Sequence, residues 1–179
     1  MNADAFSSAD PVTNMLFWFA GLSFVFVAWI FASPAIDYRL VMFGSVLPVV
    51  EMVAKGPWVL HSLLAPVCVM VLVMLLFRGN RLAQRKWLGV PIGMFMYLVL
   101  DGAWARTTLF WWPLFGSPDA GDIPTWEPVP VLILMEIVGV SALLWAVRRY
   151  ELNEAEARHK FLRDGRLSRA AMGPPPGKC

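Results

Sequence analysis

PWVLHSLLAPVCVMVLVMLLFRGNRLAQRK, residues Pro57–Lys86, decides the fold class. Its first 21 residues, Pro57–Phe77, contain no Asp, Glu, Lys or Arg, and His61 and Cys68 are their only ionisable groups. A helix needs about 20 mostly apolar residues to cross a bilayer. The following stretch, Arg78–Lys86, holds four bases and no acid, the pattern of a short cytoplasmic loop. A span that enters such a loop has a direction as well as a length.

Outward from this stretch, four more apolar runs appear. Met15–Ala32 carries no charge, and no base precedes it, so it lacks the basic start of a signal peptide and reads as an uncleaved span. Leu40–Ala54 is shorter and contains Pro48 and Glu51. Trp87–Ala105 is interrupted by Asp101, and Pro128–Val147 contains Glu136. The tail opens with Arg148-Arg149 and continues basic, whereas the N-terminal segment has Asp4 and Asp10 and no base. The loop after Asp101 sets Arg106 against Asp119, Asp122 and Glu127. Basic loops stay inside. The sequence therefore predicts an all-α polytopic membrane protein of about five transmembrane helices, N-terminus outside and C-terminus cytoplasmic. Trp111, Trp112 and Trp126 then fall near the outer interface, where indoles concentrate.

The composition agrees. Of 179 residues, 58% are hydrophobic and 16% charged, and the mean hydropathy is +0.59. A soluble domain of this size cannot bury so much apolar surface, and disorder or a nucleic-acid-binding globule is excluded for most of the chain. The net charge is only +2, yet eight of the fifteen bases follow position 147. The expected organisation is an extracytoplasmic segment 1–13, a transmembrane domain 14–147, a basic cytoplasmic segment 148–172 with a helix over Glu151–Arg169, and a disordered Pro/Gly tail 173–179. The basic helix suits anionic headgroups or a solvated extension of the fifth span. Expected partners are membrane lipids and other membrane proteins, in a bacterial plasma membrane, with no nucleic acid. Cys68 and Cys179 form no metal or redox motif.

Ionisable side chains inside spans are costly and are functional candidates by default. Glu51, His61 and Asp101 each fall about one turn below the outer surface, on three different helices, and Glu136 lies about a turn deeper. One imidazole with two carboxylates suits Zn²⁺, Mn²⁺ or Fe²⁺, and a bound metal with an open position activates water for hydrolysis. The plainer alternative pairs Glu51 with Lys55, Asp101 with Arg106 or Thr107, and His61 with a backbone carbonyl. Tyr97 shares a helix face with Asp101 and either hydrogen-bonds to it or packs. Gly89 and Gly93 have the spacing of a close helix contact.

The stretch Gly44–Gly116, about 70 residues or two-fifths of the chain, resembles a bacterial inner-membrane family of metal-dependent hydrolases. That family has Leu-Pro-Asp-x-Asp-His, then His-Arg-Gly-x-Thr-His-Ser, then His-x-x-x-Asp, then a turn ending in Leu-Trp-Pro. This chain has Leu47-Pro48-Val49-Val50-Glu51-Met52, Gly56-Pro57-Trp58-Val59-Leu60-His61-Ser62, Tyr97-Leu98-Val99-Leu100-Asp101 and Trp111-Trp112-Pro113 in the same order. Val49 replaces the first Asp and Met52 the His of the first motif. Gly56 replaces the first His of the second, and Tyr97 the His of the third. His61 and Asp101 remain, with Glu51 standing for the second Asp.

The resemblance implies a divalent metal on Glu51, His61 and Asp101, with Tyr97 behind it. The implied chemistry is hydrolysis of an ester or phosphoester on a lipid-linked substrate. The missing ligands favour the alternative, a non-catalytic membrane scaffold that binds lipid or serves a complex as an accessory subunit. A small transporter, relaying protons through Glu51, Asp101 and Glu136, is a third expectation, without the inverted repeat common in such proteins. The chain has no nucleotide loop, nucleophile elbow or haem motif.

Overall fold

The computed structural model describes residues 15–53, 59–105, 110–113 and 128–168. The N-terminal segment 1–13, Lys55, Gly56, Arg106, Thr107, the acidic loop 114–127 and the tail 173–179 lie outside those residues. Every regular element among the described residues is helical: α1 (Leu16–Phe31), α2 (Tyr38–Val53), a 3-10 turn (Val59–His61), α3 (Leu64–Leu76), α4 (Arg81–Trp87), α5 (Gly89–Leu100), a second 3-10 turn (Ala103–Ala105), α6 (Val129–Arg149) and α7 (Ala155–Asp164). Among the described residues one helix, α6, is long and apolar enough to cross a membrane by itself; α1 and α3 are apolar but shorter.

Three expected runs are resolved differently, each for a local reason. The run Pro57–Phe77 is not one helix. Pro66 has no N–H and fits best in a first helical turn, and α3 begins two residues before it, at Leu64, and spans 13 residues. The run Trp87–Ala105 ends its helix early. Gly102, at φ 68°, turns the chain after Asp101, and its N–H returns to Val99 O at 3.3 Å, as a helix-terminating glycine does. The basic loop contains a helix of its own, α4. Asn80 caps it by accepting the Ala83 N–H at 3.1 Å, and Arg, Leu, Ala, Gln and Lys are good helix formers. Phe77 and Trp87 stack across the turn with ring centroids 6.1 Å apart.

The helices run in alternating directions. α2 lies beside α5 in parallel: Gly89 meets Asp37, Gly93 meets Val41, and Val49 packs near Tyr97. No side chain fits between these backbones, since a Cβ on Gly93 would collide with Val41 O and one on Gly44 with Val90 O. α1 and α6 are also parallel and cross at Gly21 and Gly139, where a Cβ on Gly21 would sit 2.5 Å from Gly139 O. α1 runs antiparallel to α2, with Phe24 against Tyr38 at 5.5 Å between ring centroids.

Separate cores result. The largest gathers Phe24, Val27, Tyr38, Val41, Tyr150 and Leu167; another, at the opposite end, gathers Phe19, Val49, Tyr97 and Leu98. Outside them, large apolar side chains such as Trp29, Leu75, Leu76, Ile133, Leu134 and Leu144 are exposed.

Candidate functional site

The Tyr97 end of the bundle holds the polar cluster. Pro48 and Glu51 lie on α2 (Tyr38–Val53). One carboxylate oxygen of Glu51 accepts the Val59 N–H at 2.9 Å, and the other accepts the Leu60 N–H at 2.8 Å. Glu51 therefore caps the 3-10 turn Val59–His61, whose first amides have no partner within the turn. That capping aims His61 inward. Its Nδ1 lies 3.3 Å from Glu51 Oε2, and its Nε2 lies 2.9 Å from the Tyr97 hydroxyl on α5.

His61 is 0% exposed, as is Tyr97. The imidazole stands edge to face with the phenol ring at 87°, centroids 5.3 Å apart. A carboxylate can only accept here, so His61 Nδ1 carries a proton, and Nε2 and the Tyr97 hydroxyl share the second hydrogen bond. Ser62, also fully buried, donates its hydroxyl to Val59 O at 2.7 Å.

Sequence reasoning placed Glu51, His61 and Asp101 in one layer, with Tyr97 on the Asp101 face either hydrogen-bonding to it or packing. The structure joins Glu51 to His61, and joins Tyr97 to His61. Asp101 closes α5, with its N–H on Tyr97 O at 2.8 Å. Among the described residues no three His, Cys, Asp or Glu side chains come together to hold a metal. Both nitrogens of His61 are engaged, and both oxygens of Glu51 accept backbone amides. A metal–imidazole bond of about 2.0–2.1 Å would have to displace the Tyr97 hydroxyl or the Glu51 carboxylate. As placed, these residues do not fit a metal centre.

Glu136 has a different task. From α6 it reaches the start of α1, accepting the Trp18 N–H at 2.9 Å and the Phe17 N–H at 3.3 Å. Met15 supplies no side-chain cap there. A carboxylate at a helix N-terminus satisfies its free amides and opposes the positive end of the helix dipole. The same device, Glu51 on the 3-10 turn and Glu136 on α1, explains two of the four ionisable groups inside the apolar runs.

The opposite end carries a second polar cluster that sequence reasoning missed. Asp37 is 1% exposed. Its Oδ1 accepts the Arg39 N–H at 3.1 Å and Arg39 Nε at 3.2 Å, its Oδ2 accepts Arg39 Nη2 at 3.0 Å, and Lys86 Nζ stands 3.9 Å away. The same guanidinium donates to Leu162 O and Arg163 O at the end of α7, and the Tyr38 N–H donates to Gly165 O at 2.9 Å. Gly165, at φ 68°, turns the chain away, and a Cβ there would strike the Asp37 carboxylate. Leu167 is then inserted beside Phe24 and Tyr38. Two local signals were present: Asp37 immediately before a helix, and Gly165 immediately after one. Comparison with family models, with curated proteins and with solved structures found no match to this chain in any of the three.

Proposed function

We propose that this chain is a five-span bacterial plasma-membrane protein, N-terminus out and C-terminus in. Its Glu51–His61–Tyr97 cluster is a structural clasp, and the protein acts without catalysis as a lipid-binding scaffold or accessory subunit. The membrane reading is supported by α6, of whose most apolar stretch only 17% is buried in the protein; the core helix of a soluble domain is mostly covered. It is also supported by the exposed apolar faces of α1, α3 and α6, which exceed what water-soluble monomers display. The alternating helix directions suit five sequential crossings. The basic loop and the basic tail meet at one end through Asp37, as two cytoplasmic segments would. The short helices are compatible with spanning, because irregular backbone is tolerated at membrane depth when buried in protein, and His61 and Ser62 are fully buried.

The observation that carries the functional reading is the engagement of both His61 nitrogens. Tyr97, which stands where the resembled hydrolases have a histidine, caps the nitrogen a metal would take. Metal analysis of the dialysed, detergent-purified chain tests it. A divalent ion retained at one per chain and lost in His61→Ala restores the hydrolase reading; wild type indistinguishable from His61→Ala supports the clasp.

A further inference from the structure

A cavity of about 320 Å³ opens beside the Asp37 cluster, between the α1–α2 turn, α4 and the segment around the end of α7. Its wall includes Arg85, Lys160 and Arg166, three cations from chain segments far apart in sequence, together with apolar Pro34, Leu82 and Leu167. The two aspartates at this end are already matched. Asp37 is held by Arg39 and approached by Lys86. Asp164 is bonded by Arg163 Nε at 3.2 Å, and that guanidinium holds its carboxyl below the usual carboxylate range. Arg39 covers the carbonyls Leu162 O and Arg163 O, which screens the negative end of the α7 dipole from the cavity. Among the described residues none of Arg85, Lys160 and Arg166 is in an ion pair, although Asp164 feels the charge of Arg166. Three positive charges thus converge on one concave, partly apolar site.

We propose that this cavity binds the phosphate group of an anionic phospholipid. The cations take the phosphate through charge-assisted hydrogen bonds, and Pro34 and Leu82 accept the glycerol and the first acyl carbons. The lipid source rests on the membrane reading above, in which this end faces the cytoplasmic leaflet, where anionic lipids supply a negative surface potential. The inference deepens the scaffold reading by naming what the scaffold holds and where.

Calorimetric titration of the detergent-solubilised full chain tests it, with short-chain phosphatidylglycerol, matched phosphatidylcholine and inorganic phosphate as probes. Phosphatidylglycerol binds and phosphatidylcholine does not. The triple variant Arg85→Gln/Lys160→Gln/Arg166→Gln, at exposed positions, loses at least about tenfold in affinity, the expected loss when even one charged hydrogen bond is removed. A control of equal net charge, Arg78→Gln/Arg81→Gln/Arg158→Gln, keeps wild-type affinity. Equal binding of the two lipids, or equal loss in both triple variants, overturns the site. Binding of inorganic phosphate with no binding of phosphatidylglycerol overturns the lipid source. A chain that purifies from the soluble fraction without detergent sinks the membrane reading instead, so the two failures are distinguishable.

Discussion

The Tyr97 hydroxyl and His61 Nε2 share a hydrogen bond across 2.9 Å, and that contact ties α5 to a 3-10 turn that Glu51 of α2 has already capped. Three chain segments are thereby closed on one imidazole that no solvent reaches. Removing one member leaves a buried polar group without its partner, which costs about 1–3 kcal/mol. Tyr97→Phe keeps the ring packing against Phe19, whose centroid lies 4.4 Å away, and deletes only the hydroxyl. We expect it to lower stability by about that amount, read as a fall in the thermal midpoint of the detergent-solubilised chain. An unchanged midpoint would mean the hydroxyl carries no weight.

Glu136 distinguishes a cap from a proton relay. Glu136→Ala removes both acceptors from Phe17 and Trp18 and should destabilise by about 0.5–2 kcal/mol. Glu136→Gln keeps one acceptor oxygen and should lose less. Equal losses in the two variants would argue that the carboxylate acts here by its charge alone.

The α2–α5 contact predicts a contrast between two glycines. Gly93→Ala drives a methyl into Val41 O and should cost about 1–3 kcal/mol, as overpacking does. Gly79→Ala, where a Cβ meets nothing within 4 Å, should be neutral. Midpoints that rank the two substitutions the other way would refute the close parallel packing of these helices.

Arg39 holds α7 in place. Arg39→Ala removes the donors to Leu162 O and Arg163 O and leaves the buried Asp37 with Lys86 at 3.9 Å. The amides of Gly165 to Leu167 should then exchange hydrogen faster than in the wild type, while those of α1 should not change. Unchanged protection at Gly165 would show that Leu167 alone anchors the segment.

The architecture was more legible in the sequence than the cluster. Uncharged runs and basic loops are long-range signals, and they located α1, α2 and α6 closely. The breaks inside runs were set by single residues, Pro66 and Gly102, whose effect on a helix is local and was outweighed by overall hydropathy. The spacing of Gly89 and Gly93 was readable because a missing side chain has one geometric use. The pairing of His61 with Tyr97 was not readable. Helix position gives depth and face, but rotation about the helix axis is fixed by tertiary packing. Glu51 and Glu136 read as chemistry because an isolated carboxylate in an apolar run has no visible partner; the partners are backbone amides, which no sequence pattern displays.

Orientation has its own check. With Cys68 changed to Ser, an impermeant thiol reagent should modify Cys179 only after the cells are permeabilised. Rapid modification of intact cells would reverse the topology.

The clasp itself is tested most directly by the ring nitrogens of His61. The chain has two histidines, so ¹⁵N-histidine labelling with His159→Gln isolates one imidazole by NMR. A neutral ring is predicted, with the proton on Nδ1 and a hydrogen-bonded Nε2, unaltered by chelator or by added Zn²⁺. Tyr97→Phe should move the Nε2 resonance and leave Nδ1 protonated. A nitrogen that shifts when Zn²⁺ is added and returns with chelator would contradict the clasp and identify His61 as a metal ligand.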